Sequence, residues 1–171
     1  MDDIRQLVRD IPDFPKEGIL FRDITPVLAD GAAFQKVVKA LSDLASSQQI
    51  THIVGIESRG FIFGTPVSVA LGLPFVPVRK PGKLPAKTAR CEYALEYGTD
   101  ALEIHADSLK AGDRVMIVDD LLATGGTAEA ACTLVEGLGA EVISVAVVIE
   151  LLALEGASRI APRRVDSLLK Y

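Results

Sequence analysis

Two adjacent carboxylates, Asp119 and Asp120, stand just before a run of small residues, Ala123-Thr124-Gly125-Gly126-Thr127. The glycines have no Cβ, so backbone N–H groups there can approach an anion closely. Thr124 and Thr127 add hydroxyl donors. A helix is expected from about Thr127 to Leu138, and a helix N-terminus favours negative charge by roughly 0.3–1 kcal/mol where exposed. This is the chemistry of a phosphate cradle. Two carboxylates would repel a phosphate, so Asp119 and Asp120 suit ribose hydroxyls or a metal–ribose assembly. Strand, acidic pair and small-residue turn together read as a seat for a phosphorylated sugar.

A second group of residues could meet an anion. Gly55-Ile56-Glu57-Ser58-Arg59-Gly60-Phe61 ends an apolar segment with a turn, and Arg59 stands in that turn. Residues 79–90, RKPGKLPAKTAR, hold five basic side chains and no acidic one, in a chain with 18 basic and 23 acidic residues. A charge run is usually a solvated helix face, but the interleaved Pro and Gly argue against a helix here. Other nucleotide motifs do not compete. Phe61 stands where a P-loop needs Lys, and Val142 fills the third glycine position of the fingerprint that Gly137 and Gly139 begin. Taken alone, Phe21 reads as core, Tyr93 and Tyr97 as strand packing, and the isolated His52 and His105 as structural.

These residues need a scaffold. His52–Ile56, Pro74–Val78, Arg114–Val118 and Glu141–Ile149 are short apolar runs separated by a helical stretch through Ala70 and by the helix after Thr127. That rhythm predicts an α/β fold with a central parallel sheet flanked by helices, and ligands at the carboxyl ends of its strands. Asp30 is expected to cap a helix whose apolar stripe is Phe34, Val37, Val38, Leu41 and Leu44. Ile4, Leu7, Val8 and Ile11 predict a short opening helix ended by Pro12 and Pro15, and Phe14–Leu28 reads as irregular. Residues 80–91 read as a mobile loop, and Tyr93–Tyr97 with Leu102–His105 as an antiparallel pair.

The chain has 171 residues, enough for one domain, and a formal net charge of -5, which argues against a general nucleic-acid binder. Cys91 and Cys132 form no metal or redox spacing and suggest a reducing compartment. The acidic N-terminus lacks the apolar core of a signal peptide, and no apolar run reaches the ~18 residues of a bilayer span. A soluble cytoplasmic protein is expected.

The run Val115–Thr127 resembles the signature of the type I phosphoribosyltransferase family, and VDDLLATGGT is similar to its adenine-specific branch. The resemblance covers nearly the whole chain. It implies one domain over 1–171, with a core at about 31–149, a base-binding hood from about 1–30 plus 150–171, and a lid loop at about 80–98. The implied reaction joins adenine to 5-phosphoribosyl-1-pyrophosphate, giving AMP and pyrophosphate with Mg²⁺, a purine-salvage step. The implied roles are these. Asp119 and Asp120 hold the ribose 2′- and 3′-hydroxyls, and Ala123, Thr124, Gly125, Gly126 and Thr127 bind the 5′-phosphate. Ser58 and Arg59 belong to a pyrophosphate loop whose strained peptide aims backbone N–H groups at the leaving group. Arg79, Lys80 and Lys83, from an RK-x-GKLP element, contact pyrophosphate, some of them reaching a partner subunit. Glu96 handles a purine proton, so that Glu96, Arg59, Asp119 and Asp120 form the catalytic set, while Tyr97 closes the lid. Phe21 stacks on adenine, the backbone at Arg22 reads its 6-amino edge, and Leu151 supplies a second wall.

Mg²⁺ would arrive on the substrate, with Asp119 and Asp120 nearby and no dedicated protein cage. The family also implies a homodimer, with no nucleic-acid or membrane partner. The absence of Lys from 21–28 and 145–155 fits an amino purine rather than a 6-oxo base. The alternatives are a transferase for another purine, a regulator that keeps the fold as an effector sensor, and synthesis of the donor from ATP. One departure is Gly156-Ala157-Ser158-Arg159, where the family usually has Arg directly after the Gly.

Overall fold

The first helix is shorter than its apolar spacing predicts. In the computed structural model, which describes residues 1–94 and 99–171, α1 spans only Asp2–Leu7 and buries Ile4. The chain turns extended at Val8, and Arg9–Pro12 forms β1, antiparallel to β2 at Leu20–Asp23. Ile11 therefore lies in a strand. A helix of two turns is marginal in water, so the ladder to β2 decides the outcome. The segment expected to be irregular thus holds a strand, and it also holds α2, Thr25–Ala29. That helix has Pro26 in its first turn, and the Asp23 carboxylate accepts from Thr25 N at 2.9 Å. Asp30 caps α3 (Gly31–Ser47) as expected, accepting from the N–H groups of Ala32 and Ala33, both at 2.9 Å.

The chain then runs through β3 (His52–Ile56), α4 (Gly60–Leu71) and β4 (Phe75–Val78). The strands β5 (Thr88–Ala94) and β6 (Thr99–His105) pair antiparallel, with Tyr93 directly opposite Asp100. Strand thus replaces the end of the expected loop, because ladder bonds to β6 begin at Thr88. Next come β7 (Arg114–Leu122), α5 (Gly126–Gly137) and β8 (Glu141–Glu150). A single 3-10 turn at Leu152–Leu154 leads to α6 (Gly156–Ile160) and β9 (Arg164–Lys170). The C-terminal part of the expected hood therefore divides: its last strand joins the central sheet.

Five parallel strands form that sheet in the order β4-β3-β7-β8-β9. Side chains alternate across each strand. Ile53, Met116, Val118, Ala146 and Val148 face α3 and α4, while Val54, Val115, Ile117, Val145 and Val147 face α5 and the β5–β6 hairpin. Burial on both faces explains the unbroken apolar runs, and each fully buried Val or Ile contributes roughly 1.5–3 kcal/mol over its exposed state. From β3 the chain crosses to β4 on one side, and β7 then fills the other. The strand order reverses there, which opens a crevice above the carboxyl ends of β3 and β7.

Candidate active site

That crevice is a cleft of about 460 Å³, lined by Glu57, Ser58 and Arg59 after β3, by Asp119 to Ala128 along the end of β7 and the start of α5, and by Lys80. Two sequence segments and one isolated lysine are thus brought to one place.

The turn Ala123–Thr127 joins β7 to α5. Gly125 is left-handed, with φ of 83°, and caps α5, whose first N–H groups have no intrahelical acceptor. A Cβ on Gly125 would sit 2.6 Å from the Gly156 carbonyl oxygen, so the absent side chain serves the rear of the turn as well as its mouth. The contact is reciprocal: a Cβ on Gly156 would collide with the Ala123 carbonyl oxygen. The first residue of α6 is therefore the backstop of the turn. The Arg159 guanidinium packs beside Gly126 and bonds Glu129 through Nε at 2.7 Å. In the sequence Gly156 and Arg159 stand out only as a departure from the family pattern. Their contact with a turn some thirty residues earlier left no local signal.

Both carboxylates lie at the end of β7. Asp120 is 6% exposed and pairs with Arg59, Nε to Oδ2 at 2.7 Å. Asp119 accepts from Asp120 N at 2.9 Å. Burial, and then the neighbouring Asp120 charge, raise the Asp119 pKa well above the ordinary carboxylate value. At Gly60 a Cβ would lie 2.5 Å from the Val118 carbonyl oxygen and 3.2 Å from the Asp119 carboxylate. Glycine there lets the start of α4 close against β7 and carries Arg59 over Asp120.

On the basic side, the Glu57–Ser58 peptide is cis. Glu57, which carries no signal of its own in the sequence, accepts from Arg79 Nη2 and from Lys80 N, both at 2.9 Å. The Arg79 bond, working against partial desolvation, holds its pKa below the ordinary range. Of the three expected basic contacts, Lys80 lines the cleft. Arg79 instead turns to Glu57 and to the Lys83 carbonyl at 3.1 Å, and Lys83 is exposed outside it.

Phe21 is half-buried, with its ring against Phe14 at 5.1 Å and the Arg59 guanidinium 5.9 Å from its centroid. The Arg22 side chain points elsewhere, over Tyr171 at 4.1 Å and into an ion pair with Asp10, which leaves its backbone in β2. Leu151 N donates to the Leu122 carbonyl at 2.9 Å, which sets Leu151 next to the end of β7. Glu96 and Tyr97 lie outside the described residues. Among the described residues no group of three or more His, Cys, Asp and Glu side chains is placed to hold a metal ion.

The arrangement offers a backbone anion seat, an acidic floor and a basic far wall within one cleft. The chain is also similar to known proteins. A model of the phosphoribosyl transferase domain matches residues 24–170. The adenine phosphoribosyltransferase of Methylococcus capsulatus is 57% identical over 171 residues, covering all of both chains. The crystal structure of adenine phosphoribosyltransferase from Thermoanaerobacter pseudethanolicus superposes with a TM-score of 0.96 at 50% identity, covering 99% of each chain. That of Saccharomyces cerevisiae, complexed with an imino-altritol bisphosphate and adenine, gives 0.94 at 43% identity, covering 98% of this chain and 97% of that one. Matched over most of its length by the domain model and over all 171 residues by a relative 57% identical, the chain belongs to the adenine phosphoribosyltransferase family.

Proposed function

We propose that this chain transfers the phosphoribosyl group of 5-phosphoribosyl-1-pyrophosphate to adenine, forming AMP and pyrophosphate in purine salvage. One observation carries the reading: the glycine turn, the acidic pair and the Arg59–Lys80 wall border a single cleft. A doubly phosphorylated sugar has the matching order of charge, with a phosphate at one end, hydroxyls in the middle and pyrophosphate at the other.

In this reading Ala123 to Thr127 hold the 5′-phosphate through backbone N–H groups and the two threonine hydroxyls. Asp119 and Asp120 hold the ribose hydroxyls, which requires Arg59 to leave Asp120 for the pyrophosphate. The bond from C1 to the pyrophosphate oxygen breaks and one from C1 to the purine nitrogen forms, through an oxocarbenium-like transition state. Negative charge grows on the leaving oxygens, where Arg59, Lys80 and the backbone after Ser58 stabilise it. Glu96 takes up the purine proton, and Tyr97 with the rest of segment 80–98 excludes water. Phe21 stacks on the base, with the Arg22 backbone and Leu151 at its edges. Catalysis on this scheme is positioning plus electrostatics, with no covalent enzyme intermediate.

Asp119 and Asp120 supply the donor set that suits Mg²⁺, which keeps substrate and water oxygens and takes only one or two carboxylates. When bound, the ion would neutralise charge on the pyrophosphate oxygens. A homodimer fits two features: Ile62 and Val69 on α4 are 38% and 77% exposed, and Lys83 is exposed outside its own cleft. The free thiols of Cys91 and Cys132 fit a cytoplasmic setting, and among the described residues no helix is long and apolar enough to cross a membrane.

The test is to supply purified protein with Mg²⁺, the donor and each purine base in turn. AMP formed from adenine, with no nucleotide from hypoxanthine, guanine or xanthine, is the expected result. Comparable turnover of a 6-oxo purine would overturn it.

A further inference from the structure

Lys80 reaches the cleft from a segment whose backbone is tied down. Its own N–H is held by Glu57, Arg79 exchanges both backbone bonds with Glu103, and Gly82 N donates to the Glu103 carboxylate at 3.0 Å. These bonds hold the backbone and leave the Lys80 side chain untied. Its ammonium forms an ion pair with Asp100 and donates to the Tyr93 hydroxyl at 3.2 Å. That hydroxyl in turn donates to Asp100 at 3.2 Å and accepts from Thr127 Oγ1, in the phosphate turn, at 3.4 Å. One O–H donor and two lone pairs account for all three bonds. Tyr93 is 7% exposed and, opposite Asp100 on the β5–β6 ladder, holds the group in register. Lys80 and Asp100 keep 39% and 30% of their side-chain surface exposed, so the pair can open.

We propose that Asp100 is a resident counter-ion for Lys80, which the donor's pyrophosphate group must displace before Lys80 can bind it. This rests on the reading of Lys80 as a pyrophosphate contact. The exchange leaves no carboxylate orphaned: Asp100 keeps Ala101 N at 2.8 Å and the Tyr93 hydroxyl when Lys80 departs. Because the same hydroxyl accepts from Thr127, the exchange takes place on a strut that touches the 5′-phosphate turn. The protonation states agree. Burial lowers the Lys80 pKa, but the bonds to Asp100 and Tyr93 outweigh it and raise it overall, while Asp100 is held low chiefly by Lys80. Both partners are charged in the resting protein.

A competing carboxylate weakens anion binding, so its removal should strengthen it, whereas damage to a structural residue would not. Calorimetric titration of the full chain with pyrophosphate and Mg²⁺ tests this in four forms: wild type, Asp100→Asn, Lys80→Ala and the double variant. Asparagine keeps an oxygen for Ala101 N. Asp100→Asn should bind pyrophosphate about fivefold more tightly, the scale of losing one partly exposed ion pair. In the Lys80→Ala background the same change should have much less effect, which separates the pair from a general change of charge. Asp100→Ser should act in the same direction and replaces the Asn variant if that one melts early. Unchanged or weaker binding by both Asp100 variants, with Lys80→Ala weakened, overturns the counter-ion and leaves the Lys80 contact standing. Wild-type affinity in Lys80→Ala overturns both.

Discussion

The Ala123–Thr127 turn and the segment around Lys80 border the same cleft, yet one presents backbone and the other presents side chains. The turn is braced from behind by Gly156 and continues into α5, so its donors stand in place before any ligand arrives. On the opposite side, Arg59 is paired with Asp120, Arg79 with Glu57 and Lys80 with Asp100. Each of these cations already has an anion of the chain's own. A backbone seat cannot be neutralised in this way, because its N–H groups are fixed by the fold and carry no net charge. On the proposed function, the 5′-phosphate seat is therefore preformed, while the pyrophosphate wall must exchange partners. Substitutions should then act differently on the two sides: on the turn through shape, on the wall through charge.

The largest effect should come from Gly125→Val. Its φ of 83° and the Gly156 oxygen 2.6 Å from the new Cβ leave no room for a side chain. We expect kcat/KM for the donor to fall by about a thousandfold or more, equivalent to ~4 kcal/mol. A near-normal KM for the donor would show that the turn does not hold the phosphate. Gly156→Ala should come next, since it pushes on the Ala123 carbonyl from outside the cleft. Overpacking of this kind destabilises by ~1–3 kcal/mol, and the donor KM should rise by about thirtyfold. An unchanged KM in a folded variant would remove the backstop. On the wall, Glu57→Gln keeps an acceptor for Lys80 N but loses the charge that holds Arg79. With that resident anion gone from the cleft, a fall of about fivefold in donor KM at nearly constant kcat is expected, in the same direction as Asp100→Asn. A larger loss than that of Gly156→Ala would reverse the ranking of the two sides.

The smallest effect concerns stability. The raised Asp119 pKa means that the folded state favours its neutral form. Stability from that group is fully present below the ordinary value of 3.8 and is lost as pH rises toward the folded value. Asp119→Asn removes the loss. In ligand-free protein it should melt about 3 °C higher than wild type at neutral pH, with the gain shrinking toward acid. A gain that stays constant with pH would place the cause elsewhere.

The turn was legible in the sequence because all its parts are contiguous: an apolar strand, two carboxylates, small residues and the start of a helix follow one another within thirteen residues. The Asp30 cap was legible for the same reason. The Lys80–Asp100 pair was not, since only the β5–β6 ladder brings Asp100 back beside Lys80. Gly156 was invisible as a brace because it touches Ala123 through tertiary packing alone. In the N-terminal region β1, β2 and α2 are each four or five residues long, too short for periodicity to distinguish. The edge strand β9 escaped notice because only Leu169 in it is fully buried, so no apolar run marks it.

The central claim is that the backbone turn seats the 5′-phosphate while the neighbouring carboxylates hold the sugar. A crystal structure of the protein with AMP tests it directly. The phosphate should lie within hydrogen-bond distance of the N–H groups of Thr124 to Thr127, with the ribose hydroxyls on Asp119 and Asp120. An empty turn, with the nucleotide ordered elsewhere, would contradict it.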